Sequence, residues 1–231
     1  MSINRIAAAY IYTLDAGEPI RNGFVEYDDD GTILRTGKCD PQSDEEILDC
    51  AVVPGFVNAH CHVELSHLHT KFRKGTGMAG FIDQINELRD WAGREVKAEL
   101  VKKWMDKMWA DGVSAMADIS NDDSSFKVKK AHPMYTRTFL EVFGSEPDMC
   151  EGVMKDVTDL HALAQQKGID AAPTPHSCYT MSPQLLSASA AAGLAEGCLS
   201  YHSQESQEEE DLLISGTGAM YENRKRNGMS T

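Results

Sequence analysis

Two histidines one residue apart, His60 and His62, leave the apolar run Val53-Pro54-Gly55-Phe56-Val57-Asn58-Ala59. If 56–62 ends a strand, side chains alternate and both imidazoles point to the same side. Two such groups on a rigid strand can hold one metal ion at small entropic cost. The spacing by itself leaves a second reading open, two ordinary histidines without a metal. Two more histidines, His176 and His202, follow short apolar runs, and Glu205 lies three residues beyond His202. A carboxylate at that place can move the protons of an activated water. Taken alone it also reads as a solvated acid, since Glu208, Glu209, Glu210 and Asp211 follow it.

The elements that must position these groups come in two styles. Residues 1–52 read as short strands separated by turns such as Asp15-Ala16-Gly17 and Asp28-Asp29-Asp30-Gly31. They make a small antiparallel β unit, too small to be stable alone. From residue 53 the rhythm becomes strand, loop, helix. Helical apolar stripes are expected over 79–91, 95–109 and 147–166, and a short helical piece from Ser124 to Pro133. Ser182-Pro183 is an N-cap followed by proline, opening a helix to about residue 192. Strands are expected over 113–119, 135–143, 170–175 and 197–202, and a helix in the acidic tail. Strands alternating with helices at about 30-residue spacing imply parallel βαβ units.

The decisive placement is that His60/His62, His176 and His202 all fall at the C-terminal end of an expected strand. In a (β/α)8 barrel that rim is where active sites are built, which favours the metal reading. His67, His69, His132 and His161 lie in loops or on helices and read as ordinary surface residues. Five strands are used by residue 205, whereas a complete barrel needs about 250 residues. The expected fold class is therefore α/β, a partial (β/α)8 TIM-type barrel of about five βα units. The boundary between the two regions, 1–52 and 53–231, falls before the histidine strand.

Composition narrows the partners. With 22 Lys plus Arg against 36 Asp plus Glu, the net charge is −14, which argues against nucleic acid and anionic membranes. No apolar run approaches the roughly 20 residues of a spanning helix, and Met1-Ser2-Ile3-Asn4-Arg5 lacks signal-peptide features. The six cysteines are irregularly spaced and form no C-x-x-C pair, so reduced thiols and a cytoplasmic location are expected. The lack of P-C-x-x-C also excludes the zinc deaminases built on that motif. Gly75-Thr76-Gly77-Met78-Ala79-Gly80 fits G-x-G-x-x-G, but it lies a dozen residues past the strand end, too far for a dinucleotide loop. Arg137 and Glu141 share a strand face, and Glu64 follows His62. Each reads as a pocket residue or an internal ion pair, with the ion pair favoured, and Asp118 stays open in the same way.

Taken together, these motifs resemble the amidohydrolase superfamily. Val53 to His62 is similar to its P-G-F/L-I/V-N/D-x-H-x-H opening, and His176-Ser177-Cys178-Tyr179-Thr180-Met181-Ser182 to its H-A/S-P-Y segment. His202-Ser203-Gln204-Glu205-Ser206 resembles its H-x-x-E-T/S segment. Within the superfamily the chain is most similar to the branch of chlorohydrolases, S-adenosylhomocysteine deaminases and aminodeoxyfutalosine deaminases. The resemblance implies that residues 1–52 form part of a small β-sandwich. It implies one divalent metal, zinc or alternatively Fe2+, on His60, His62 and His202, with Glu205 as the catalytic proton shuttle and His176 as a substrate-binding residue. Cys178 stands where the family's proline is usual. The family's later histidine and aspartate, after its sixth and eighth strands, have no counterpart in these residues. The implied function is metal-dependent hydrolysis of a non-peptide C–N bond, deaminating a purine-like or related heterocycle by metal-activated hydroxide. An aminodeoxyfutalosine-type substrate is the leading specific candidate. The partner is then a small heterocyclic molecule, with a homo-oligomer left open. The alternative is a truncated, inactive fragment or one part of a split assembly.

Overall fold

Turn chemistry sets the first unit, Met1–Gly55. Asp28 Oδ1 accepts the N–H groups of Asp30 (3.0 Å) and Thr32 (2.9 Å), closing the turn between β2 (Ile20–Asp28) and β3 (Ile33–Lys38). With β1 (Ile3–Ile11) and β4 (Leu48–Val52) they form a four-stranded sheet in the order β3-β2-β1-β4. The pairs β1/β2 and β2/β3 are antiparallel as expected, but β4 runs parallel to β1. The reason is the crossover: nine residues, 39–47, carry the chain from the end of β3 past β2 and β1 to the far edge, longer than any hairpin turn. Ala7, Phe24 and Cys39 make its small buried cluster. The computed structural model describes residues 2–15 and 17–230.

The second unit, Phe56–Thr231, follows the strand-helix rhythm. Its sheet has the order β5 (Phe56–Cys61), β6 (Val113–Ser120), β7 (Tyr135–Val142) and β8 (Asp170–Pro175), all parallel. Between them lie α1 (Gly77–Leu88), α2 (Arg94–Ala110), α3 (Phe126–Ala131) and α4 (Cys150–Gln166), and α5 (Pro183–Ala195) follows β8. Ser182 caps α5, its hydroxyl accepting from Leu185 N at 3.3 Å ahead of Pro183. The acidic tail is helical, with α6 (Gln207–Glu210), a single π turn (Asp211–Ser215) and α7 (Gly218–Arg226). Among the described residues, no helix is long and apolar enough to cross a membrane.

Packing follows the apolar stripes. Leu140 and Val142 of β7 meet Val157 and Ala164 of α4, Leu185 of α5 and Phe126 of α3. Met116 of β6 packs with Val101 and Met105 of α2. Leu140 has no exposed surface, so Leu140→Ala should destabilise this unit by about 2–5 kcal/mol, read as a lower urea midpoint.

The stretch expected as a fifth strand, 197–202, is reduced to one parallel bridge, Ser177 to His202. His176 N bonds to Val142 O at 3.0 Å, so by alternation Pro173 and Pro175 lie on the other side of β8. That side faces the next segment, and prolines have no N–H to give it. Thr174 replaces the ladder: its Oγ1 accepts from Ser200 N at 2.7 Å and donates to Ser200 O at 2.5 Å.

Candidate metal centre

The register of the parallel strands decides what meets at their C-terminal ends. Cys61 pairs with Asp118, Ser120 with Leu140 and Val142 with Pro175, and the Ser177 bridge carries the line on to His202. His60, His62, Glu141, His176 and His202 are thereby set along one rim. The rings of His60 and His62 are 5.2 Å apart, those of His60 and His202 4.7 Å, and those of His62 and His202 5.4 Å. One ligand atom from each of these three lies within 4.8 Å of the other two. The three residues expected to hold a metal from the sequence are thus adjacent in space, His60 on the exposed side.

The other two expected site residues lie beside them. Glu205 Oε1 is 3.4 Å from His202 Nδ1, and its Oε2 accepts a 2.8 Å bond from the Tyr179 hydroxyl. The Glu205 N–H donates to Glu209 Oε2 at 2.6 Å, which fixes the backbone at the same point. The His176 ring stands 5.0 Å from that of His202, with its Nδ1 at 2.7 Å from Thr180 Oγ1 and 2.9 Å from Ser177 Oγ. All open onto a cavity of about 530 Å³, whose far wall is apolar and includes Met78, Phe81, Ile82 and Met220.

The site contains a residue, Glu141, that the sequence left between a pocket and an ion pair, with the ion pair favoured. Glu141 does not share an ion pair with Arg137, which instead pairs with Asp170. Four residues along a strand share a face but stand about 13 Å apart, so the two belong to opposite ends of β7. Glu141 Oε1 lies 3.5 Å from His202 Nε2 and 3.8 Å from His176 Nε2, and Asn121 Nδ2 donates to its Oε2 at 3.0 Å. The available signal was its place at the C-terminal end of a parallel strand, the same rule that picked out the histidines. Asp118 does form an ion pair, with Lys129. Glu64 forms none among the described residues; it is buried and accepts from Asn121 N at 2.8 Å. His67 is also buried rather than on the surface, with Glu64 O 3.0 Å from its Nδ1 and Arg89 O 2.9 Å from its Nε2, either of which can accept the ring N–H.

Electrostatics separate the roles. Burial pushes the His62 imidazole down to about 4, against the pull of Glu141 and with the help of His202 and His60. Burial also lowers His60 and His176. These rings are neutral near pH 7, the form that ligates metals. His202 is raised, because Glu141 faces it. Burial alone would raise Glu141, but the facing His202, the electrostatic pull of His176 and the Asn121 amide outweigh it and hold the carboxyl at about 2. Burial, then the bond to Glu205, pushes the Tyr179 phenol up.

A divalent ion fits these residues. Among the described residues, Glu141 Oε1 and His202 Nε2 are buried with no well-formed hydrogen bond and face one another at 3.5 Å, a gap that a shared cation can fill. The donor set of imidazoles and carboxylates suits zinc and Fe2+. No dinucleotide reading arises at Gly75–Gly80, since Glu208 Oε2 already takes the Ala79 N–H of α1 at 2.8 Å. Gly77 sits at φ +70°, and a Cβ there would come 2.0 Å from Glu208 Oε1.

Fold and rim together define a class by likeness: a four-stranded parallel β/α unit with histidines at the C-terminal ends of its strands, the fold shared with the first part of several solved deaminases. The chain is similar to the aminofutalosine deaminase of Helicobacter pylori, solved with methylthio-coformycin, at a TM-score of 0.80 and 21% identity, covering 98% of this chain and 57% of that one. An adenosine deaminase from Xanthomonas campestris with bound zinc matches at 0.69 and 17%, covering 97% and 55%. Guanine deaminase from C. acetobutylicum, with guanine in its active site, matches at 0.71 and 12%, covering 98% and 60%. The chain thus spans under two thirds of the length of each of these enzymes. No family model matches the sequence, and no curated protein matches it.

Proposed function

We propose that this chain belongs to a metal-dependent hydrolase that deaminates a purine-like or related nitrogen heterocycle. The observation that carries the reading is the meeting of His60, His62 and His202 within 4.8 Å, with Glu205 3.4 Å from His202. A divalent ion on the three imidazoles, zinc or Fe2+, would supply Lewis acidity that makes water a usable nucleophile near neutral pH. Glu205 takes a proton from the attacking water and gives it to the departing amino group. The Tyr179 hydroxyl holds Oε2, leaving Oε1 directed to the His202 side. His176 contacts the ring of the substrate, its orientation set by Thr180 and Ser177. The apolar wall of Met78, Phe81 and Ile82 takes the remaining surface of the ligand and excludes water.

Among heterocycles, an aminodeoxyfutalosine-type nucleoside is the specific candidate, supported by the fold shared with the H. pylori enzyme. The six free thiols accord with a cytoplasmic location. The test is metal analysis of the purified chain, followed by ammonia release from aminofutalosine, adenosine and guanine. About one equivalent of zinc or iron and ammonia from one of these substrates are expected. A folded chain that takes up no metal, or a loaded one that releases no ammonia, would overturn the reading.

A further inference from the structure

A second group of ligand atoms lies beside the first. Glu141, His176 and His202 each offer one atom within 4.8 Å of the others. Two donors on one tetrahedral ion at ordinary bond lengths stand about 3.4 Å apart. Glu141 Oε1 is 3.5 Å from His202 Nε2 and 3.8 Å from His176 Nε2, so small side-chain shifts would close the set. The Glu141 side chain is 6% exposed, and among the described residues its Oε1 and the His202 Nε2 make no well-formed hydrogen bond beyond facing each other.

The outer atoms of all three are held from behind. Asn121 Nδ2 donates to Glu141 Oε2 at 3.0 Å, leaving Oε1 free. His176 Nδ1 lies 2.7 Å from Thr180 Oγ1, which presents the opposite nitrogen to Glu141. His202 Nδ1 faces Glu205 at 3.4 Å, which does the same for its Nε2. Outer partners of this kind fix tautomer and aim in metal sites. An ion pair between Glu141 and the His202 imidazolium uses the same two atoms, 3.5 Å apart, but it leaves His176 Nε2, 3.8 Å from Oε1, outside it, whereas one ion would close all three.

We propose that Glu141, His176 and His202 form a second divalent-cation seat next to the His60–His62–His202 seat. Both seats draw on His202, so they are alternatives for a single ion. A carboxylate in the second seat supplies a negative charge that three neutral imidazoles lack. An ion there occupies His176, and so competes with the substrate contact assigned to that residue. The inference rests on the proposed function only for the first seat.

Zinc titration against a chromophoric chelator tests it, with far-UV circular dichroism on each variant. The wild-type chain should bind one equivalent. The double variant His60→Ala/His62→Ala should still bind one equivalent, and adding Glu141→Gln should weaken that binding at least about tenfold. If the double variant misfolds, His60→Asn, at an exposed position, replaces it as the background. Thr180→Val, which removes no ligand, should weaken the residual binding about 10–100-fold. A folded double variant that binds no zinc, or binds it with no effect of Glu141→Gln, overturns the second seat alone. A wild-type chain that binds none overturns the proposed function as well.

Discussion

Glu205→Gln is expected to lower the rate of ammonia release by about 10²- to 10⁴-fold, the range for losing a positioned general acid–base group. The change keeps size and shape. An amide oxygen can still accept from the Tyr179 hydroxyl, which bonds Oε2 at 2.8 Å. What is lost is the ability to carry a proton between water and the leaving amine. Glu205 stands outside the His60–His62–His202 group, so metal content should stay at the wild-type value. Ammonia release and metal analysis on the same preparation separate the two effects. Activity within a few-fold of wild type would remove Glu205 from the mechanism. Loss of activity together with loss of metal would recast it as part of the metal site.

Lys129→Met should give the largest loss of stability of any single surface-distant change proposed here, about 3–5 kcal/mol, the range for breaking one side of a buried ion pair. Lys129 Nζ lies 2.5 Å from Asp118 Oδ2, with the two side chains 1% and 0% exposed. Its remaining donors reach Ser120 Oγ at 2.9 Å and Thr138 Oγ1 at 3.2 Å. Removing the ammonium leaves a carboxylate in the interior with no counter-charge. The damage should also reach the rim, because Asp118 Oδ1 accepts the Val63 N–H at 2.7 Å and so fixes the chain as it leaves His62. Zinc affinity is expected to fall along with the urea midpoint. Pairing the change with Asp118→Asn should restore part of the stability, since no buried charge then remains. Lys127→Met, at an exposed position two residues away, should stay within about 0.5 kcal/mol of wild type. A Lys129→Met chain as stable as that control would show that the pair contributes little.

Both predictions turn on contacts of very different sequence range, and legibility follows that range. His60 and His62 could be read because strand alternation is local: two residues apart means the same side. His202 and Glu205 could be read because their spacing of three is equally short. The helices of the second unit were legible because their apolar stripes repeat every turn, as in α2 and α4. Ser182-Pro183 likewise marked the start of α5 within three residues.

Three features depended on tertiary structure. The direction of β4 is set by where a nine-residue crossover returns, and no property of Leu48–Val52 itself encodes it. The fifth strand fails because of its neighbour: prolines of β8 face it, whereas its own residues read as strand. Glu141 and Arg137 look equivalent in the sequence of β7, but register sends one to the imidazoles and the other to Asp170. Alternation tells which face a side chain occupies; the pairing of strands 20 to 60 residues apart tells what it meets there. The sequence by itself determined the types of the candidate ligands, their local spacing and the parallel α/β plan. Tertiary structure alone decided that a carboxylate from a third strand stands among the histidines, because that contact exists only once four parallel strands are in register.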